Sequence, residues 1–195
     1  DAQESRGLGD VYKRQRLHCR AQLMPTIDAL HEVTGDETDL GGTGSGRGID
    51  LGIRTGFGDD RVSFGHVKVF TDGSLLGATA AMTEDFCGHQ NHGNSGYLLT
   101  SPEEQRERTL AAYRAGWALA IHAIGDRAVD LALDIIDEAQ RAYGSNGVPN
   151  RIEHFGIARP DQVERAGQLG VAVTPQQAFV NVFGEPMAER IGQDR

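Results

Sequence analysis

Trp117-Ala118-Leu119-Ala120-Ile121-His122-Ala123-Ile124-Gly125-Asp126 is the stretch on which the reading of this chain turns. The continuous apolar run from Trp117 to Ile121 is what a parallel strand covered on both faces requires. A histidine stands at its end. Gly125-Asp126 then opens a helix, with Asp126 placed to serve as its N-cap. The apolar positions Ala128, Leu131, Ala132, Ile135, Ile136 and Ala139 form one stripe along that helix, fit to lie against a sheet. Strand and helix together make one β/α unit.

The same grammar extends in both directions. Upstream, Ser101-Pro102-Glu103-Glu104 is a helix start: the serine hydroxyl accepts from a backbone N–H three residues on, and proline suits the first helical position. That helix is expected to run to about Arg114 and stop at Gly116. Before it, Val67-Lys68-Val69-Phe70 reads as a short strand ending at Thr71-Asp72-Gly73-Ser74, followed by a long Gly-rich connection over residues 73–100. Downstream, Arg151-Ile152-Glu153 reads as a strand, Pro160 to Leu169 as a helix closed by Gly170, and Val171 to Thr174 as the next strand. This alternation, with a period of about 30 residues, implies an α/β fold with a parallel sheet and right-handed crossovers. A doubly wound sheet and a (β/α)8 TIM-like barrel both fit. A complete barrel takes about 250 residues, so 195 residues with four such strands amount to about half of one.

Nearer the amino terminus, Ala21 to Ile27 reads as a strand and Asp28 to Val33 as the start of a helix. Residues 35–60 read as a connection whose most flexible part is Gly41-Gly42-Thr43-Gly44-Ser45-Gly46. That cluster lacks the Lys-Ser/Thr ending of a phosphate loop. Asp10-Val11-Tyr12-Lys13-Arg14-Gln15 resembles the translated end of a transposase adapter used in sequencing libraries; an ordinary polar linker is the other reading. Residues 1–15 are therefore expected to lie outside the fold, and 16–195 to form an incomplete barrel domain. The chain reads as an internal piece of a longer protein. An open half-barrel exposes strand edges, so the isolated chain is expected to aggregate or stay molten.

Composition narrows the function. Nineteen basic against 28 acidic residues give a net charge of −9, which repels phosphate backbones and argues against nucleic-acid binding. No apolar run approaches the ~20 residues of a membrane span. Cys19 and Cys87 lack metal-ligand spacing and read as two inert thiols. The compartment is left open, with the cytoplasm favoured.

In either architecture ligands bind beyond the carboxyl ends of the strands. Three successive strands deliver Lys68, His122 and His154 at or near that end. His122 and His154 are 32 residues apart, one β/α unit, so equivalent points on adjacent strands bring the imidazoles together. Such a pair suits Zn²⁺ or a similar borderline cation. Each histidine taken alone also reads as a hydrogen-bonded residue near a helix start, and Lys68 as a salt-bridged lysine. If Lys68 faces the interior, its amine has two chemistries open: Schiff-base formation with a carbonyl, or uptake of CO₂ to give a carbamate that bridges metal ions. His18, His31, His66, His89 and His92 belong to no constellation. Asp130, Asp134 and Asp137 share the polar face of their helix and read as solvated charge.

The segments Val67 to Ser74, His122 to Asp126 and Arg151 to His154, in this order and spacing, resemble the amidohydrolase superfamily in its family 3 branch. A looser likeness continues from Val173 to Phe179, and the resemblance covers about residues 20–190. It implies a metal-dependent hydrolase on a distorted (β/α)8 barrel. Lys68 would be a carboxylated bridging lysine, and His122 and His154 imidazole ligands, for one or two divalent ions with zinc foremost. Family members also carry a His-x-His pair on the first strand and a general-base aspartate on the last. Neither is found here; they are expected upstream of residue 16 and downstream of Arg195, which leaves this piece inactive by itself. The implied reaction is hydrolysis of a C–N bond other than a peptide bond, in an amide, formamide or cyclic amide, by metal-activated water. Residues 73–100 would set specificity, with Asp72 and Ser74 orienting that loop or touching substrate; a tight turn plus cap is the plainer reading of both. The partner implied is a small-molecule substrate, and a homo-oligomer of the complete protein is compatible. Two alternatives stay open: a Schiff-base lyase using Lys68, and a non-catalytic barrel-like binding or regulatory protein.

Overall fold

The computed structural model describes residues 19–33, 46–49, 52–88 and 91–192. The expectations for residues 1–15, Gly41 to Ser45, His18 and His89 fall outside them. In chain order the elements are β1 (Ala21–Leu23), a single 3-10 turn (Ile27–Ala29), β2 (His31–Val33), β3 (Gly46–Gly48), β4 (Val62–Phe64) and β5 (Val67–Phe70). After these come α1 (Pro102–Arg114), β6 (Leu119–Ala123), α2 (Asp126–Tyr143), β7 (Arg151–His154), α3 (Pro160–Gln168), β8 (Ala172–Thr174) and α4 (Ala178–Ile191).

β5, β6, β7 and β8 form one parallel sheet in that order, each strand beside its successor. Doubly wound sheets reverse their strand order at a switch point. The absence of a reversal among these four strands is the pattern of a barrel wall. One face of the sheet is apolar: Val67, Val69, Leu119, Ile121, Ala123 and Ile152 are buried in one core with the α2 stripe Ala128, Ala132, Ile135, Ile136 and Ala139. The period of two along each strand then puts Lys68, Phe70, His122, Arg151, Glu153 and Thr174 on the opposite face. The helices stabilise one side, and the other side carries the chemistry. No helix among the described residues is long and apolar enough to cross a membrane.

The helix starts follow the expected physics in part. Ser101 Oγ accepts from the Glu104 N–H at 3.1 Å, and α1 ends at Arg114 before Gly116, whose φ is 91°. At α2, however, Gly125 occupies the N-cap and Asp126 is the first helical residue. The Asp126 carboxylate accepts from Thr83 N at 2.8 Å, so it binds the long loop to the helix instead of capping. Asp130, Asp134 and Asp137 are not simply solvated. Because α3 packs alongside α2, Arg159 reaches Asp130 at 2.9 Å and Arg165 reaches Asp134 at 2.7 Å, while Arg141, one turn on along α2, reaches Asp137 at 2.6 Å.

Two further expectations need correction. Asp28 to Val33 does not begin a helix. After the turn at Ile27–Ala29, Leu30 is extended with ψ 136°, and β2 pairs antiparallel with β3. Ile27 and Leu30 both plug into the core, which ends the turn after three residues. Residues 35–60 are therefore not plain connection, since β3 lies within them. β4, which pairs in parallel with β1, and α4, which contains Pro186, were also not foreseen. A three-residue strand has too short a pattern to read, and Gly184 with Pro186 signals a break, not a helix. Both cysteines are free thiols, Cys19 exposed and Cys87 half-buried.

Gly125 is needed for lack of space. A Cβ there would lie 2.0 Å from the Ala81 carbonyl oxygen. Gly125→Ala is expected to destabilise the chain by about 2 kcal/mol, read as a shift in the urea midpoint.

His66, just before β5, is a buried residue whose Nε2 lies 3.0 Å from the Pro149 carbonyl oxygen; its Nδ1 has no partner among the described residues. Burial is the main cause holding this imidazole below its ordinary pKa. The unfolded chain therefore takes up a proton near pH 6.5 while the folded chain does not. Stability is expected to rise with pH through the window between the depressed folded value and about 6.5, and to be lost as pH falls through it. A melting temperature at pH 5.5 that is no lower than at pH 7.5, or a difference unchanged in His66→Gln, would contradict this.

Candidate metal centre

The carboxyl ends of β5, β6 and β7 converge on one place. Backbone register pairs Phe70 with His122, His122 with Glu153, and Ala123 with His154. By strand alternation His154 belongs with Ala123, on the face packed against helices. The chain corrects this by leaving the strand conformation: His154 has φ 70° and Phe155 φ 49°. Left-handed backbone at two successive non-glycine residues is costly. It turns the His154 ring to the open face, edge-on to His122, with ring centroids 4.6 Å apart and planes at 75°.

Each imidazole is held by one nitrogen. His122, 8% exposed, has Nε2 2.9 Å from the Gly73 carbonyl oxygen and 3.2 Å from Asp72 Oδ1. His154 Nδ1 lies 2.7 Å from Gln176 Oε1, on the segment after β8. With a carbonyl oxygen as acceptor in each case, the engaged nitrogen carries the proton and the other offers a lone pair: Nδ1 of His122 and Nε2 of His154. Burial, first, holds His154 below its ordinary pKa, and Lys68 adds to it, with Gln176 and Glu153 opposing. Neutral imidazole is the form that binds a metal.

Lys68 stands two residues before Phe70 on the same face, and its Nζ lies 4.7 Å from the Phe70 ring centroid. Desolvation lowers the pKa of this amine; Glu153 works against that and Arg151 with it. Glu153 is bound to Arg151, with Nε to Oε1 at 2.6 Å. Burial works to raise the Glu153 pKa, but bonds from Arg151 and Thr174 outweigh it and leave the carboxyl below its usual range.

Asp72 is at the centre of the support. It is 2% exposed and accepts from Ala81 N at 3.0 Å, Ile124 N at 3.1 Å and Gly125 N at 2.8 Å. One carboxylate thus joins the end of β5, the loop 73–100 and the β6–α2 turn, and also flanks His122. Ser74 is exposed; its Oγ accepts from Gly77 N at 3.1 Å, and its own N–H donates to Thr79 Oγ1 at 2.9 Å.

The structure therefore brings Lys68, His122 and His154 to one region, Asp72 beneath it and Ser74 at its rim. Among the described residues no three His, Cys, Asp or Glu side chains gather at one point. Two oriented imidazoles could supply two ligands to a divalent cation; catalytic zinc sites, for comparison, take three from the protein. Gln176, Arg151 and Glu153 were missed from the sequence. Period-two alternation from Lys68 and His122 would have flagged Arg151 and Glu153, whereas nothing in the pattern marks Gln176.

Comparison with known proteins agrees with this geometry. The sequence pattern of the amidohydrolase family matches residues 2–195. Over 131 residues, 67% of this chain and 22% of the relative, it is 34% identical to Protein LONG AFTER FAR-RED 3 of Arabidopsis thaliana. Over 121 residues, 62% of this chain and 21% of the relative, it is 27% identical to N-substituted formamide deformylase of Arthrobacter pascens. The crystal structure of a metal-dependent hydrolase from Pyrococcus furiosus superposes with a TM-score of 0.74 at 29% identity, covering 96% of this chain and 35% of that one. The chain spans about a fifth of the length of these two curated relatives. Family pattern, shared hydrolase fold and the imidazole pair at the strand ends agree: the chain belongs to the amidohydrolase family.

Proposed function

We propose that the protein is a metal-dependent hydrolase that cleaves a C–N bond other than a peptide bond in a small amide, formamide or cyclic amide. The observation that carries this reading is the edge-on pair of His122 and His154, each with one nitrogen tied to a carbonyl oxygen and the other left with a lone pair. The similarity to a deformylase acting on N-substituted formamides supports the bond class.

His122 and His154 would hold a divalent cation, zinc foremost, with Lys68 as a further ligand once CO₂ has converted its amine to a carbamate. Such a cation lowers the pKa of water toward neutrality and polarises a carbonyl. The chain's own residues do the rest. The lowered pKa of Lys68 raises the share of its neutral amine, the form that CO₂ requires. Arg151 occupies Glu153, which keeps a second negative charge from standing free beside that lysine. Asp72 and Gln176 hold the two imidazoles in their tautomers, and Asp72 with Ser74 shapes the loop 73–100 that would choose the substrate. Asp72 gives its oxygens to backbone N–H groups and Glu153 to Arg151, so neither is placed to take a proton from water. That role falls to a residue outside those described.

The test is metal analysis with chelation. Zinc is expected to bind, to leave with a chelator and to return on addition, and amide hydrolysis by the complete protein is expected to follow it. Borohydride trapping of Lys68 with a carbonyl substrate, independent of metal, would favour the Schiff-base lyase instead.

A further inference from the structure

Five aromatic rings run in a row across the open face of the sheet. Phe70 lies 5.3 Å from His122, His122 lies 4.6 Å from His154, His154 lies 6.3 Å from Phe179, and Phe179 lies 5.7 Å from Phe183. The two imidazoles are in the middle and a phenylalanine flanks each side. Phe70 is 45% exposed, on an edge strand of the four-stranded sheet. The Phe179 plane is within 8° of the His154 plane, so the two rings present parallel faces. Phe179 and Phe183 are one turn apart on α4, which places both on one side of that helix.

Charge on this face is sparse and already committed. Arg151 is bound to Glu153, and Lys68 lies over the Phe70 ring. No free guanidinium among these residues awaits a carboxylate or phosphate. Whatever approaches the imidazole pair meets apolar ring faces on both sides, and apolar groups, aryl groups above all, gain most from such neighbours.

We propose that Phe179 and Phe183, with Phe70 opposite, form a specificity subsite for an uncharged amide bearing an aryl or comparably large apolar substituent. This inference rests on the amide-hydrolase reading and narrows its substrate class. Phe70, Phe179 and Phe183 determine specificity by contacting the substituent, not the bond that is cleaved.

The probes are acetanilide and N-methylacetamide, which share the acetamide and differ in the ring. Their dissociation constants are measured by ligand-observed NMR on the complete protein, with and without zinc. Acetanilide is expected to bind about tenfold more tightly. Phe179→Leu combined with Phe183→Leu keeps apolar volume but removes the rings, and is expected to bring the ratio to about twofold. Val180→Ala, at a residue 78% exposed on the same helix, is expected to leave the ratio unchanged. A ratio near one in the parent chain, or a tenfold ratio that survives the double substitution, overturns the proposal. Zinc titration of the same samples separates the two readings. A chain that binds zinc but does not discriminate defeats the subsite alone; a chain that discriminates but binds no zinc defeats the metal-hydrolase reading and leaves the subsite standing.

Discussion

Replacing His154 with alanine is expected to weaken zinc binding by the complete protein on the order of 100-fold, and His122→Ala to do the same. Partners that merely orient a metal-binding histidine already carry about 10–100-fold in affinity, so loss of the imidazole itself belongs at or beyond the upper end. Gln176→Leu provides the graded control. It keeps both imidazoles but removes the acceptor 2.7 Å from His154 Nδ1, which frees the ring to turn and to change tautomer. About a tenfold loss is expected there. Competition with a zinc indicator measures all three, and circular dichroism checks that the fold survives. Equal zinc affinity in the parent and both histidine variants would remove the metal centre proposed here.

Asp72→Ala is expected to be the most damaging substitution for stability. The carboxylate accepts three backbone N–H groups, of Ala81, Ile124 and Gly125, in a site sealed from water. Each buried N–H left without an acceptor costs about 1–3 kcal/mol, so the total is at least about 3 kcal/mol. A domain of ordinary stability has only about 5–15 kcal/mol in all. Asp72→Asn, which keeps one oxygen acceptor, is expected to lose roughly half as much. Urea denaturation reads both. A change within about 0.5 kcal/mol for the alanine variant would mean that the loop, the turn and β5 are held together by something else. The same substitution releases His122 Nε2 from one of its two neighbours, so zinc affinity should fall along with stability.

How far the sequence carries depends on the element. β5, α1, β6, α2, β7, α3 and β8 were legible because each bears a signal within its own residues. The apolar run at Trp117 to Ile121, the stripe on α2 and the serine cap of α1 are short-range patterns that packing reinforces. β2, β3 and β4 were not legible, since three residues carry no period and their partners lie far along the chain. Within α2, the acidic residues Asp130 and Asp134 read as solvent-facing because their partners Arg159 and Arg165 come from the next unit. Asp126 was misread for the same reason: Thr83, the donor it accepts from, is 43 residues away.

The amino-acid order by itself determined the α/β class, the β/α period and the placement of Lys68, His122 and His154 at strand ends, since these follow from local hydrophobic periodicity and from one unit's length. Tertiary structure alone decided which way the rings face. Alternation along β7 points His154 into the helix layer, and only the left-handed backbone at His154 and Phe155 brings it beside His122. That rotation, the Gln176 acceptor and the Phe179 stack depend on contacts between segments distant in sequence, whose energies no local pattern records.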